Sequence, residues 1–403
     1  MEAFVKEPFA FNPFDEETRR DPYALFARAR REQPVFRHEG LPVSSVFLHA
    51  DCQAILRDPK TWSSMFPTPP GFTPEDVPRS MLVTDPPEHA RLRGLVSQAF
   101  TPKRVRELAP RIEAIAHELL DQAIARREVD LVEALTYPLP VIVIAEMIGV
   151  PAADRGRFKA WSDALVAPLG SVFFSEPSPE MVAEQRRIRA QLEEYFVRLV
   201  EDRRRSPKDD LLTGLVQAEL EGSRLAFDEL LAMLILLLVA GNETTTNLIG
   251  NAALELLAHP DALADVRADP SLTGPAVEEV LRFSSPVQMD PRLATRDVTV
   301  QGVTIPAGEF VLCWLGSANR DEMVFERAGT FDVRRGKQNH LAFGFGPHYC
   351  LGASLATLEA EIAIRILLER TRDFCRVDEQ PLPLHPSIVF RGVTSLPMRL
   401  EPV

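Results

Sequence analysis

Apolar residues recur at three- and four-residue intervals along much of the chain, a spacing that places them on one side of an α-helix. Two segments show this pattern clearly, Phe227–Ala258 and Ala353–Arg370. Further segments with the same spacing span residues 15–31, 51–57, 104–127 and 139–150. Between residues 34 and 49 the apolar runs are short and are interrupted by Gly40 and Pro42, which favours a β-hairpin. The pattern predicts a mainly α-helical fold with small β-sheets.

Other segments lack this periodicity and predict loops. Residues 65–78 contain five prolines, and residues 166–179 contain three prolines and a glycine. Long irregular loops in compact domains are often functional or cover a site, so we expect both to lie near a pocket. A third segment, residues 201–210, is rich in charged residues and predicts a solvent-exposed turn.

The helix predicted at Phe227–Ala258 would be about 48 Å long, and its apolar middle predicts that it crosses the core. Asn242, Glu243 and Thr244 nevertheless interrupt that apolar middle. Polar groups are costly to bury, and polar residues that interrupt an apolar helix segment often have a functional role. Thr244 can donate to a carbonyl of its own helix or to water, and Glu243 can relay protons. The alternative is a threonine-rich kink without chemistry.

A cysteine in a glycine-rich stretch precedes the helix predicted at Ala353–Arg370. The stretch reads Phe-Gly-Phe-Gly-Pro-His-Tyr-Cys-Leu-Gly and places Cys350 at or just before a helix N-terminus. Free N–H groups and the positive end of the helix dipole stabilise a thiolate there. A thiolate held in this way suits an axial ligand of haem iron. Considered alone, a cysteine is more often a small buried apolar residue.

The complete pattern of this stretch is more specific than its cysteine. Phe-x-x-Gly-x-His-x-Cys-x-Gly resembles the haem-ligand signature of the cytochrome P450 family, and the matching residues are Phe343, Gly346, His348, Cys350 and Gly352. The resemblance extends in ordered motifs over residues 85–356. It implies a P450-like fold around one buried haem b (iron protoporphyrin IX), as a single domain over residues 1–403. Cys350 would be the iron ligand, with Phe343 against the sulfur and glycines approaching the macrocycle.

A histidine and an arginine four residues apart follow the sequence Asp85-Pro86-Pro87. His89 and Arg93 would share one face of a helix capped by Asp85, and such a pair suits the two propionates of a haem. From spacing alone, a solvated basic face is the favoured alternative. The family resemblance favours propionate binding instead, and implies the same role for Arg292 and His348.

The resemblance also assigns roles to the residues in the polar middle of the helix predicted at Phe227–Ala258. Ala240 and Gly241 would leave room for dioxygen, and Glu243 and Thr244 would deliver protons during dioxygen cleavage. The segments around Glu279, Arg282 and Arg335 resemble a family network of buried charges that supports the scaffold.

Several segments resemble the substrate-pocket walls of the family. Ordinary core packing is an equal alternative for each residue. The pocket candidates are Phe66, Phe72, Phe173, Val239, Val287, Gln288, Met289, Ile388, Val389 and Phe390.

Composition narrows the function and the compartment. The net charge of −13 argues against nucleic-acid binding. Four dispersed cysteines without a C-x-x-C motif suit the reducing cytoplasm and argue against a zinc site. The first seven residues contain no apolar run, which predicts no signal peptide or membrane anchor. The longest apolar stretch, about twelve residues at 230–241, is short of the roughly 20 that a membrane helix needs.

The function implied is a monooxygenase that inserts one oxygen atom of O2 into an apolar small molecule, by hydroxylation or epoxidation. Its electrons would come from NAD(P)H through a separate ferredoxin reductase and ferredoxin. The ferredoxin would dock on a basic face for which Arg104 and Arg365 are candidates, and the protein is expected to be a monomer. Two alternatives stay open, a peroxide-driven haem-thiolate enzyme and a haem-binding sensor without turnover.

Overall fold

The computed structural model describes residues 9–76, 80–166, 173–220, 222–336 and 338–403. The N-terminal residues that predict no signal peptide or anchor lie outside this part of the chain. So do residues 77 and 78 of the first predicted loop and residues 167–172 of the second. Among the described helices, none combines the length and the apolar composition that crossing a membrane requires.

The described residues form mostly α-helices, as the periodicity predicts. The helices are α1 Glu16–Arg20, α2 Tyr23–Glu32, α3 His49–Arg57, α4 Glu88–Ala99, α5 Pro102–Glu107, α6 Ala109–Arg126, α7 Pro138–Ile148, α8 Arg155–Val166, α9 Pro179–Arg205, α10 Leu211–Gln217, α11 Phe227–Ala258, α12 Pro260–Ala268, α13 Thr273–Phe283, α14 Leu315–Ala318 and α15 Ala353–Arg370.

Short strands form small sheets beside the helices. The strands are β1 Val35–Arg37, β2 Val43–Val46, β3 Trp62–Ser63, β4 Glu128–Asp130, β5 Glu219–Leu220, β6 Ser223–Arg224, β7 Met289–Ala294, β8 Val298–Val300, β9 Val303–Ile305, β10 Phe310–Trp314, β11 Thr371–Arg376 and β12 Pro397–Pro402. The largest described sheet has the order β1-β2-β10-β7-β3, in which β10 is parallel to β2 and antiparallel to β7. A second sheet has the order β11-β12-β4.

The helices predicted at Phe227–Ala258 and Ala353–Arg370 are confirmed to the residue, because α11 and α15 begin and end where the apolar spacing does. The hairpin is confirmed as β1 and β2, which pair antiparallel. Two predicted helices are each divided in two. Pro22 separates α1 from α2, and Pro110 lies in the first turn of α6, where its missing N–H costs no intrahelical hydrogen bond.

Asp85 does not cap α4, contrary to the sequence prediction. The helix begins at Glu88, and no side chain caps it. The carboxylate of Asp85 accepts hydrogen bonds from the Ser63 hydroxyl at 2.5 Å and from the Ser64 N–H at 2.9 Å. The two serines are buried, so their donors need a partner inside the protein.

The charged segment at residues 201–210 is not simply a solvated turn, which corrects the prediction for it. Helix α9 continues to Arg205, and the Arg203 side chain is buried. The Arg203 guanidinium donates to Asp210 at 2.5 Å and to the carbonyl of Gly149 at 3.0 Å. Asp210 also accepts the N–H of Thr213 and so caps α10.

Helix α11 crosses the core and packs against α7, α13 and α15. Its side chains from Leu230 to Leu238 are mostly buried in one large apolar cluster. Because α15 also packs against α6, the two long helices lie at the centre of the helical part. The polar middle of α11 and the cysteine before α15 therefore belong to elements that contact each other.

A buried charge network lies beside this core. It contains the three residues that the sequence predicted to group together, Glu279, Arg282 and Arg335. Glu279 and Arg282 on α13 have no solvent exposure and form a bidentate pair at 2.7 and 2.9 Å. Arg335 donates to the same carboxylate at 3.2 Å, and Gln338 donates at 2.9 Å. Arg282 also donates to three backbone carbonyls, one of them that of Asn319.

The network keeps Glu279 ionised. Burial raises the pKa of its carboxyl group, but the hydrogen bonds and charge of Arg282, together with hydrogen bonds from Gln338 and the Asp332 N–H, outweigh burial, and the net pKa is lowered. Because Arg282 ties α13 to the irregular segment at residues 319–330, the network fixes the chain that leads to the cysteine stretch.

Replacement of Arg282 by leucine should leave the Glu279 carboxylate buried without its main partner. We expect a loss of about 3–5 kcal/mol in the free energy of unfolding, the usual result of breaking a buried pair on one side. Urea denaturation followed by circular dichroism measures it. The control is Arg198→Ala, because Arg198 pairs with Glu194 on the surface with its side chain 76% exposed; it should cost about 0.5 kcal/mol or less. A similar loss in both variants would contradict a structural role for the network.

Candidate active site

Cys350 lies in a tight loop at the N-terminus of α15. The Cys350 N–H donates to the carbonyl of Phe343 at 2.9 Å, which closes the loop, and Gly352 is the N-cap of α15. The Cys350 sulfur faces the N–H groups of Gly352 and Ala353. The backbone donors expected from the sequence are therefore present at the sulfur.

These donors do not by themselves lower the pKa of the thiol. Burial raises the pKa of Cys350, and this effect outweighs the opposing effects of the two N–H groups and of the Arg93 guanidinium. A thiolate at this position therefore needs a further positive charge at the sulfur, such as a metal ion provides.

Gly346 makes a close contact that the sequence did not predict. Its φ of +72° lies in the left-handed region, and a Cβ atom there would lie 2.6 Å from the carbonyl oxygen of Leu56. Gly346 therefore packs closely on the C-terminal end of α3, and its approach to a macrocycle stays a prediction. At Gly352, by contrast, a Cβ atom would lie 4.0 Å from the Cys350 sulfur.

Four basic side chains that the sequence analysis assigned to propionate binding come together near this loop. They are His89, Arg93, Arg292 and His348. The rings of His89 on α4 and His348 lie 4.1 Å apart between centroids. Burial and the neighbouring charges of Arg292 and Arg93 lower the pKa of His348 to about 3, and burial together with Arg93 lowers that of His89. His89 is only 2% exposed, so the alternative of a solvated basic face is wrong for this residue.

Three nitrogen atoms of this group are buried without a hydrogen-bond partner in the described structure. They are Nε2 of His89, Nε2 of His348 and one terminal nitrogen of Arg292. The other terminal nitrogen of Arg292 donates to Asp290 at 2.5 Å. Buried polar atoms are nearly always satisfied, so this cluster points to an anionic ligand with several acceptor oxygens.

The polar middle of α11 forms the other part of the candidate site. The Thr244 hydroxyl donates to the carbonyl of Ala240 at 2.8 Å, as expected for a threonine that bonds to its own helix. Ala240 is exposed although it lies in the middle of α11. Glu243 is buried, and one of its carboxylate oxygens lies 3.2 Å from Nε2 of His385.

The comparisons with known proteins agree with these features. The family model for cytochrome P450 matches residues 6–396. This chain belongs to the cytochrome P450 family. It is an oxidoreductase of the monooxygenase class, and the family implies a haem-thiolate iron cofactor.

Relatives of this P450 cover nearly the whole chain. Vitamin D(3) 25-hydroxylase of Pseudonocardia autotrophica is 40% identical over 392 residues, which cover 95% of this chain and 94% of that protein. The structure of cytochrome P450 CYP109Q5 from Chondromyces apiculatus matches with a TM-score of 0.89 at 40% identity, over 97% of this chain and 98% of that one. CYP109E1 from Bacillus megaterium, in complex with testosterone, matches with a TM-score of 0.88 at 36% identity, over 96% and 99%.

The residues of this P450 fit such a cofactor. Cys350 is half-buried, with its sulfur flanked by backbone donors, and the nitrogens of His89, His348 and Arg292 that lack partners among the described residues suit two carboxylates. Ala240, with no side chain beyond Cβ, leaves its part of α11 open.

The pocket candidates divide by burial. Seven are half-buried and can face an internal cavity: Phe66, Phe72, Phe173, Val239, Val287, Val389 and Phe390. The ring of Phe173 lies 6.2 Å from that of Phe66, so the two predicted loops meet. Met289 and Ile388, by contrast, are buried in an apolar cluster with Phe11 and Phe26. At 1% exposure Met289 has no face left for a ligand, which corrects its assignment to the pocket.

Gln288 is also buried, and its amide group donates to the carbonyl of Ser285 at 2.7 Å. Its amide oxygen lies so close to Gly316 that a Cβ atom there would be 2.3 Å away. The side chain is thus largely packed into the protein, but it also borders a cavity that Ile388 and Phe390 line, so its place in the pocket stays a prediction.

Arg365 does not offer a free positive charge for a redox partner. Its guanidinium pairs with Glu113 at 2.5 Å and with Glu369 at 3.1 Å. The two carboxylates neutralise it, which corrects the expectation that Arg365 contributes to a basic docking face. Arg104 is exposed.

Two buried acid–base residues were missed by sequence reasoning. His385 lies in the C-terminal segment, in no motif that would single it out. Glu359 on α15 is 3% exposed, and one of its carboxylate oxygens has no partner among the described residues. The spacing could have revealed it, because Glu359 is four residues after Leu355 and three before Ile362, on the apolar face of α15.

The buried Glu359 carboxyl group should make the stability of the protein fall with rising pH. Burial raises the pKa of Glu359 well above its ordinary value, so the folded state keeps a proton that the unfolded chain releases above about pH 4.3. Between that pH and the folded pKa, stability decreases by at most about 1.4 kcal/mol per pH unit. Glu359→Gln removes this contribution, so the variant should gain stability relative to the wild type as the pH rises.

Urea unfolding of the wild type and the variant at pH 5 and pH 8 measures this difference. Glu369→Gln, which removes an exposed carboxylate from the same helix, is the matched control. A difference between Glu359→Gln and wild type that stays constant across this range would contradict the burial of a neutral carboxyl group.

Proposed function

We propose that this P450 binds one haem b and uses it to insert an oxygen atom of O2 into an apolar small molecule. The observation that carries the proposal is the convergence of Cys350 with the four basic side chains of His89, Arg93, Arg292 and His348. The haem would supply the dioxygen chemistry, with Cys350 as its thiolate ligand. The four basic residues would hold its propionates, and Phe343 and Gly352 would flank the sulfur.

Glu243 and Thr244 are assigned to proton delivery. The Thr244 hydroxyl can exchange its bond to Ala240 for a bond to an oxygen atom or a water molecule at the exposed surface of Ala240. Glu243 lies one residue earlier and carries a carboxylate that can take up and release protons. The pair therefore links the open surface of α11 to a group that can be reprotonated.

The substrate is an apolar molecule of medium size. The half-buried candidates Val239, Val287 and Phe390 are aliphatic or aromatic, and Phe66 and Phe173 form an aromatic wall with Phe310. A relative is named for vitamin D(3), and a structural neighbour was solved with testosterone. Both compounds are largely apolar and are built on a complete or an opened steroid skeleton, so steroid-like molecules are the first class to test.

The electrons would come from NAD(P)H through a separate ferredoxin and ferredoxin reductase. The protein would act in the cytoplasm as a monomer with one domain. All four cysteines are free thiols in the structure, which suits a reducing compartment.

Binding of haem and of an apolar ligand can be tested by optical titration of the purified protein. With haem bound, we expect the absorption spectrum of a thiolate-ligated haem, and testosterone or vitamin D(3) should shift it when the ligand displaces water from the iron. Cys350→Ser should lose the thiolate spectrum. Palmitoleic acid serves as a flexible apolar control. A protein that binds no haem when haem is supplied would overturn the proposal.

Thr244→Ala tests dioxygen-dependent turnover. Removal of the hydroxyl should divert electrons from product to hydrogen peroxide and lower product per NADH by about tenfold or more, because proton transfer by a positioned group typically contributes a factor of about 10²–10⁴. The measurement is NADH consumed, product formed and peroxide released with a plant-type ferredoxin and its reductase. Thr245→Ala is the control from the same helix. A variant that couples as well as the wild type would favour the peroxide-driven alternative.

A further inference from the structure

A row of polar residues follows Glu243 along α11 toward its C-terminal end. Asn247, Asn251 and Glu255 succeed Glu243 at four-residue intervals, which places the four along one side of the helix. Glu243, Asn247 and Asn251 are at most 8% exposed, and Glu255 is half-buried. Burial of so many polar groups along one line is costly and requires partners.

Only some of these partners come from the protein. The amide group of Asn251 donates to the carbonyls of Ser284 at 2.9 Å and Arg391 at 3.0 Å. The side-chain nitrogen of Asn247 is buried and has no partner among the described residues. Buried donors of this kind are normally satisfied by ordered water, so the polar row is a place for water molecules.

A cavity of about 280 Å³ lies beside the outer end of the polar row. Its polar side is lined by Asn251 and Glu255 from the polar row and by His385, and Ala258 lies at the exposed end of α11. Its apolar side includes Phe11, Ile388 and Phe390, so the same cavity borders the predicted substrate pocket. A buried water needs only about 10–15 Å³ measured in this way, so the cavity has room for several. Gly392 packs on Asn247, since a Cβ atom at residue 392 would lie 1.9 Å from its amide oxygen.

His385 connects this cavity with the candidate site. Its Nε2 lies 3.2 Å from the Glu243 carboxylate, while its Nδ1 accepts the N–H of Ser387 at 3.1 Å. Because Nδ1 acts as an acceptor, the proton of the neutral ring is on Nε2, which donates to Glu243. The Arg19 guanidinium donates to the carbonyl of His385 and holds the histidine in place.

We infer that protons reach Glu243 from water in this cavity along the polar row of α11, and that His385 is the positioning residue that orients the Glu243 carboxylate at the inner end of the route. The inference rests on the proposed role of Glu243. Each proton that Glu243 gives up on the Thr244 side is replaced by one from the water chain, and the chain is restored by one proton from solvent. No electron moves in this step.

Replacement of His385 separates positioning from other roles. Leucine cannot donate to Glu243, so His385→Leu should lower product per NADH by on the order of tenfold, less than the roughly 10²-fold that a 1 Å misplacement can cost. Glutamine keeps an N–H donor of similar reach, so His385→Gln should recover most of the coupling. The rate ratio between H2O and D2O should rise in His385→Leu, since proton supply becomes limiting.

The cavity is tested at its exposed end. Ala258→Trp should fill the cavity beside α11 and reduce coupling, whereas Ala268→Trp, a matched change at the exposed end of α12, should leave coupling unchanged. Turnover is measured with testosterone, plant-type ferredoxin and its reductase.

A second readout does not depend on turnover. In ¹⁵N-histidine-labelled holoenzyme in the reduced, carbon monoxide-bound form, NMR should show His385 protonated on Nε2 alone, with His385→Gln identifying the resonance. A ring protonated on Nδ1 would overturn the assigned hydrogen bond to Glu243.

The outcomes distinguish this route from the proposed function. Equal coupling in His385→Leu and wild type, or in Ala258→Trp and Ala268→Trp, with an active wild-type enzyme, would overturn the route alone. A His385→Gln variant as impaired as His385→Leu would overturn the positioning role. A wild-type protein that binds haem but consumes no NADH would overturn the proposed function and the route with it.

Discussion

The packing of α11 against α15 is the constraint on which the site depends. Helix α15 starts at Ala353, three residues after Cys350, and α11 carries Glu243 and Thr244 in its middle. Both helices bury wide apolar faces in one cluster, so neither can shift without exposing that surface. The cysteine loop and the polar turn of α11 are therefore held in a fixed relation by apolar contacts that take no part in the chemistry.

Polar groups enter this apolar core only where something holds them. In the network of Glu279, Arg282 and Arg335, protein groups supply the partners, so the network acts as scaffold. Around His89 and His348, buried nitrogens find no partner among the residues that the structure describes, which is costly unless a ligand supplies the hydrogen bonds. The contrast between satisfied and unsatisfied burial separates supporting residues from residues that face a ligand.

The C-terminal segment contributes to the site although it lies far from the cysteine motif in sequence. Residues 384–393 pack along the outer half of α11, where His385 contacts Glu243 and the carbonyl of Arg391 accepts from Asn251. A backbone bridge between Val287 and Phe390 ties the same segment to the strand after α13. This segment therefore joins the polar row of α11 to the wall of the predicted pocket.

The sequence by itself determined helices α11 and α15, the cysteine loop and the set of basic residues, whereas the 27-residue helix α9 was not predicted. Local spacing defines α11 and α15, and the motif around Cys350 combines several residues within ten positions, so neither depends on distant contacts. Only the tertiary structure decided that Asp85 binds Ser63 and Ser64, that Met289 is core, and that His385 faces Glu243. These outcomes depend on which distant segments come into contact, and spacing along one segment carries no information about the partner that a buried polar group finds in another.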